Sequence, residues 1–218
     1  MAEKKRPRRT RERILETSLD LFNRFGEPHV TTADIADEMN ISPGNLYYHF
    51  RNKDEIIGDL FAAYEAQVLP LLAAPSAGES RRANVEDLWL LLHLLFERMW
   101  LYRFLYRDLD ELASRNRRLG TRFGELLRRG TVTVAAVCRD MVADRSMRAS
   151  EPEIAAVAQN VVLVATYWMS FRRLTSPSRD ADAAVDLGRA AYQVLALVSP
   201  YLVGDARALL DRLGTDYL

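Results

Sequence analysis

Apolar residues recur along this chain at spacings of three and four, and no segment sustains the alternation of a strand. The pattern predicts an all-α fold. A first helix covers about residues 10–25, with Ile14, Leu15, Ser18, Leu21, Phe22 and Phe25 on one face and Gly26 as its stop. A short helix follows, capped by the Thr32 hydroxyl and carrying Ile35, Ala36 and Met39. Asn40, Ile41 and Ser42 form a turn. Ser42 then caps another short helix, with Pro43 at its first position, where a missing N–H costs nothing. Leu46 and Phe50, four apart, face inward with Tyr47 beside them. Asn52 and Glu55 have capping-box spacing and open a fourth helix to about Leu72.

Residues 73–80, Ala-Ala-Pro-Ser-Ala-Gly-Glu-Ser, are the most linker-like stretch. Longer helices are predicted beyond it, over residues 85–102, 104–114 and 116–144. Ser150 and Glu153 cap another, running to about Leu174. A turn at 175–178 precedes a final pair at 182–202 and 205–214. There is no internal repeat and no low-complexity tract.

Composition narrows the class. The chain has 218 residues, enough for one large or two modest domains, and 49% of them are hydrophobic, enough for a real core. No apolar run approaches the roughly 18 residues of a membrane span. The N-terminus is basic rather than apolar and does not read as a secretory signal. The lone Cys138 forms no intramolecular disulfide, in keeping with a reducing cytoplasm. Thirty Lys and Arg balance thirty Asp and Glu, yet residues 1–13 hold seven basic side chains against two acidic ones. Such an excess reads as a nucleic-acid arm or a solvated tail. No nucleophile–base–acid set, HExxH, phosphate-binding glycine loop or metal-ligand spacing is present, so neither an enzyme nor a cofactor is expected.

Two short helices joined by a three-residue turn behind a longer helix make a helix-turn-helix, whose second helix enters the DNA major groove. Here that helix begins Ser42-Pro43-Gly44-Asn45. Gly44 permits close backbone approach, and Asn45 offers a donor and an acceptor to a base edge. Tyr47 stands with Tyr48 and His49 among the candidate contacts, the last two suited to phosphate oxygens. Lys53 adds a cation and a helix N-terminus for another phosphate, and the Thr32 hydroxyl points toward the opposite strand. Aromatic clusters of this kind are usually core; caps, turn, Gly44, Lys53 and the basic arm together favour DNA.

Thr32-x-x-Ile35-Ala36, then Ile41-Ser42-x-Gly44-x-Leu46-Tyr47-Tyr48-His49-Phe50-x-x-Lys53, resembles the signature of the TetR family of bacterial transcriptional regulators. The likeness covers roughly residues 8–55. It departs at Glu38-Met39-Asn40, where the family often has Ala-Gly; Asn40 can adopt the left-handed conformation a glycine would supply. The resemblance implies a basic disordered arm (1–9), a three-helix DNA-binding domain (10–52) and a larger helical regulatory and dimerisation domain (53–218). It also implies a cytoplasmic homodimer, paired through its last two long helices, on a palindromic operator, with repression relieved by a small molecule. Apolar surroundings favour a hydrophobic or amphiphilic effector, with His93, Trp100, Phe104, Tyr106, Asn160, Tyr167 and Trp168 as candidate lining residues. The alternative is a DNA-binding or architectural helical protein without an effector.

Overall fold

A computed structural model describes residues 5–73, 82–175 and 183–215. They form α1 (Lys5–Phe25), α2 (Thr32–Glu38), α3 (Pro43–His49), α4 (Lys53–Val68), α5 (Val85–Leu101), α6 (Arg103–Arg107), α7 (Leu109–Arg115), α8 (Arg117–Ala143), α9 (Glu151–Thr175), α10 (Ala183–Val198) and α11 (Gly204–Thr215). Short 3-10 turns occupy Glu27–His29 and Ser199–Tyr201. No strand occurs among the described residues, where one isolated antiparallel bridge pairs Met147 with Leu202. The expected linker and the turn after α9 lie, apart from Ala73 and Thr175, outside the described residues.

Several features differ from the sequence pattern. Helix α1 starts at Lys5 rather than near Thr10, so residues 5–9 of the expected arm are helical. Lys and Arg are good helix formers, and Pro7 falls in the first turn, where no N–H partner is needed. Phe25, assigned to the inward face, is 53% exposed, with the Arg24 guanidinium 4.9 Å from its ring centroid. Helix α4 ends at Val68 because Pro70 disfavours helical backbone at the residue before it. Pro200 likewise ends α10 in a 3-10 turn. The single helix predicted over 104–114 breaks at Asp108, whose carboxylate accepts the Glu27 N–H at 3.2 Å.

The chain divides into two compact units. The first holds the chain to Ala66 together with Tyr102–Arg122, so it extends past residue 52 and recruits α6 and α7. Its core is Ile14, Phe22, Ile35, Leu46, Phe50, Ile57 and Phe61, with the Phe22 and Phe104 rings 5.3 Å apart. Asn23 accepts the Phe104 N–H at 3.1 Å, which ties α1 to α6.

The second unit holds Gln67–Leu101 and the chain from Phe123 onward. Helix α10 packs against both α5 and α9. Ala190 and Ala191, both buried, allow the backbones to approach closely, and Val194, Leu195 and Val198 fill the seam. Within this unit Thr133 donates to the Leu72 carbonyl at 2.7 Å. Burial pushes the Cys138 thiol up to about 11, which leaves it protonated and unreactive at neutral pH.

Helix α9 corrects the expectation that no segment is apolar enough to span a membrane. One 18-residue window has a mean hydropathy of 1.5, sufficient by length and composition alone, yet only 33% of it is buried. Ile154, Val157, Ala158, Val161 and Ala165 face the unit's interior. Leu163, Tyr167, Phe171 and Leu174, spaced four, four and three, form a separate exposed apolar stripe.

Asn40 has φ 53°, the left-handed backbone expected of it. Asn40→Gly should leave stability within a few tenths of a kcal/mol, whereas Asn40→Val should lower it by about 1–2 kcal/mol. Urea unfolding monitored by circular dichroism checks both; equal midpoints for the two variants would refute the assignment.

Candidate nucleic-acid interface

The second and third helices are set by short-range polar contacts. Thr31, not Thr32, caps α2. Its hydroxyl accepts the Asp34 N–H at 3.2 Å, and the Asp34 carboxylate accepts from the Thr31 N–H and hydroxyl, each at 2.7 Å. These bonds, the backbone one first, hold the Asp34 carboxyl below its usual pKa. Thr32 is thereby the first helical residue, with its hydroxyl free to turn elsewhere. It meets the Tyr47 hydroxyl at 3.0 Å, which links the start of α2 to the middle of α3.

Helix α3 is capped as expected, the Ser42 hydroxyl accepting the Asn45 N–H at 3.2 Å with Pro43 next in line. Leu46 and Phe50 are buried and anchor one face. The opposite face is presented to solvent: Ser42, Pro43, Gly44 and Asn45 are exposed, and Tyr48 is 78% exposed. Tyr47 corrects the inward placement, being 50% exposed. The bond from its hydroxyl to Thr32 pulls it out of the core. His49 is half-buried and meets the Tyr48 ring edge-on at 5.1 Å. A Cβ added at Gly44 would have the Ser42 hydroxyl, 4.0 Å away, as its nearest neighbour, so the protein itself leaves room for a side chain there.

Lys53, expected to meet a phosphate, has partners within the unit. Its ammonium donates to the Glu27 carbonyl at 3.0 Å, the Val30 carbonyl at 2.9 Å and the Glu27 carboxylate at 2.8 Å. All three donors are therefore taken inside the unit. Glu27 is fully buried, and its carboxylate also accepts from Arg115 at 2.7 Å. That bond is the first cause holding the Arg115 guanidinium above its ordinary pKa. Arg115 lies 3.5 Å from Asp54 as well. No sequence signal marks Glu27: one cation is 26 residues away and the other 88. Arg11 is also engaged, paired with Asp59 and lying 4.5 Å from the Phe50 ring centroid. Opening α4, Asn52 accepts the Glu55 N–H at 2.9 Å, while the Glu55 carboxylate reaches one residue past the cap, to the Arg51 N–H at 2.9 Å.

The candidate effector residues do not form one group. Phe104 and Tyr106 are buried in the first unit, where the Tyr106 hydroxyl bonds that of Tyr64. Burial raises the pKa of both phenols. Asn160 and Tyr167 are exposed on α9, on or beside its apolar stripe. His93, Trp100 and Trp168 remain half-buried in the second unit. His93 Nδ1 lies 2.9 Å from the Trp89 carbonyl, and the two rings have centroids 4.1 Å apart. The indole N–H groups of Trp89 and Trp168 are buried with no acceptor among the described residues. No cluster of His, Cys, Asp and Glu able to hold a metal occurs among the described residues.

A capped helix that turns small polar residues and tyrosines to solvent, set behind a second helix by a left-handed turn, defines a helix-turn-helix DNA-binding regulator. Residues 14–60 match the family described as bacterial regulatory proteins of the tetR family, and residues 63–210 match one described as bacterial transcriptional repressor. A TetR-family transcriptional regulator from Marinobacter aquaeolei VT8 is 37% identical, with 95% of this chain and 98% of that one covered and a TM-score of 0.84. The chain belongs to the TetR family.

Other likenesses are narrower. A putative transcriptional regulator from Saccharomonospora viridis, solved in complex with choline, shares the fold at 19% identity, with a TM-score of 0.66 over 90% of this chain and 98% of that one. The probable acrEF/envCD operon repressor of Escherichia coli (strain K12) is 34% identical over 53 residues, 24% of each chain. The regulator TcmR of Streptomyces glaucescens is 32% identical over 73 residues, 34% of this chain and 32% of that one. The chain thus aligns with a quarter to a third of these curated relatives' length.

Removing the buried carboxylate leaves two cations without their partner. Lys53 and Arg115 each keep some access to water, so Glu27→Ala should cost about 3 kcal/mol, the low end for a broken buried pair. Chemical denaturation measures it, and a loss below about 1 kcal/mol would show that the cluster does not hold this unit together.

Proposed function

We propose that this chain is a cytoplasmic repressor that binds a palindromic operator as a homodimer and releases it on binding a small hydrophobic or amphiphilic effector. The observation that carries the DNA half of this reading is the α3 face. Asn45 and Tyr48 are the residues for base edges and nearby phosphates, Ser42, Pro43 and Gly44 allow close approach, and Thr32 with Tyr47 offers paired hydroxyls to a phosphate. The partial burial of His49 gives it a supporting part.

The α9 stripe supports the dimer. Ala190, Ala191, Val194, Leu195 and Val198 of α10 are already buried, so among the described residues α9 has the larger exposed apolar face left for a second copy. Two-fold pairing spaces the two recognition helices about one DNA turn apart and matches a palindromic site. For the effector, the unpartnered indole N–H groups of Trp89 and Trp168 favour a molecule bearing hydrogen-bond acceptors, with His93 and Trp100 nearby in sequence on α5. A small-molecule effector is in keeping with the relative of the same fold solved with choline. Effector and DNA then weaken each other by one shared factor.

Footprinting on the DNA beside the gene should give a discrete palindromic site, whereas diffuse, salt-sensitive protection would favour the architectural alternative. Phe171→Glu should turn the dimer into a monomer in analytical ultracentrifugation and weaken operator binding on the order of a hundredfold. A variant that remains dimeric would remove α9 from the interface.

A further inference from the structure

Helix α1 differs in character between its two ends. Residues 1–13 hold seven basic side chains against two acidic ones. Arg9 and Arg13, four apart on one face of α1, are exposed and have no ion pair among the described residues. Toward the other end, Leu21 and Phe25 line a groove of about 520 Å³ with Val30 and, from α2, Asp34, Asp37 and Glu38. Leu21, Val30 and the exposed Phe25 are its apolar part, and the three carboxylates supply its charge.

The groove lies apart from the recognition helix. Thr32 marks the side of α2 that meets Tyr47, and at about 100° per residue Asp34, Asp37 and Glu38 fall on the opposite side. Asp34 is engaged by Thr31 in the cap. Asp37 and Glu38 are exposed with no ion pair among the described residues, which leaves two negative charges beside an apolar floor. The Phe25 ring already holds one guanidinium, that of Arg24, 4.9 Å from its centroid. Such a surface suits an arginine-rich segment: carboxylates take the guanidinium forks, and apolar side chains take the stems and cationic planes. The basic end of α1 is a segment of that chemistry, yet it cannot reach its own groove. Arg9 and Phe25, 16 residues apart on one continuous helix, are separated by about 24 Å at a rise of 1.5 Å per residue.

We propose that the groove lined by α1 and α2 is a docking site for the arginine-rich segment, residues 1–13, of a second copy of this chain. Asp37 and Glu38 hold the incoming guanidinium groups, and Phe25 packs on their stems. The contact joins two different patches, so it can link copies in series rather than closing at two.

The test uses the full chain and a fluorescein-labelled peptide of residues 1–13, followed by anisotropy. Wild-type protein should bind the peptide, and binding should fade between about 0.1 M and 1 M salt, as the Debye length falls from about 10 Å to about 3 Å. Asp37→Lys combined with Glu38→Lys should weaken binding about tenfold. Both side chains are exposed and outside the Thr31 cap, so the variant keeps its fold, which circular dichroism checks. A peptide carrying Arg8→Glu and Arg9→Glu should bind this variant better than it binds wild type, and Phe25→Ala should weaken binding of the unaltered peptide. In sedimentation velocity, the wild-type protein should show salt-sensitive association that the double reversal removes. Equal binding of the peptide by wild type and the reversed protein would overturn the proposal, as would association that the reversal leaves unchanged. Failure of wild type to bind the peptide would also overturn it and leave the groove to a cationic partner other than this chain.

Discussion

Glu27 is fully buried in the turn that follows α1, and a carboxylate taken out of water is tolerable only with cations close by. Lys53 comes from the start of α4 and Arg115 from the end of α7, while Asp108, between α6 and α7, accepts the Glu27 N–H. One side chain therefore gathers the exit of α1, the entry of α4 and the α6–α7 break to one point. Lys53 also binds the Val30 carbonyl, one residue before the α2 cap, so the same cluster sets where the helix-turn-helix begins. The geometry of α2 and α3 depends on it.

That dependence explains why the first unit is larger than three helices. A helix-turn-helix of short helices has little core of its own, and α2 and α3 have seven residues each. Phe22 and Phe50 need further cover, and α6 supplies part of it through Phe104 against Phe22. The Tyr64–Tyr106 hydroxyl pair belongs to the same packing: two buried phenols satisfy each other and join α4 to α6. Tyr106 is thus part of the packing of the first unit.

The two exposed faces are of opposite kinds. On α3 small polar residues and tyrosines meet solvent, a surface fit for groove edges and phosphates. On α9 the outward stripe is apolar and long, a surface stable only against another apolar surface. The chain keeps the two faces in separate units.

Much of the recognition unit was legible because its determinants are local. The Ser42 cap, Pro43 behind it, Gly26 as a stop and the left-handed Asn40 all act within four residues, where spacing and residue type suffice. The Thr31 cap was missed by one position because adjacent threonines are chemically equal; the reach of Asp34 chose between them. The partners of Lys53, Tyr47 and Phe104 were not legible, for a different reason. Each side chain is of a type that serves either surface or interior, and partners 15 to 81 residues away settled which. By itself the sequence determined the helices, their caps and the turn between α2 and α3, since backbone hydrogen bonding and capping act over a few residues. Only the tertiary structure decided which charges remain on the surface, because ion pairing across distant segments depends on where the whole chain has been brought together.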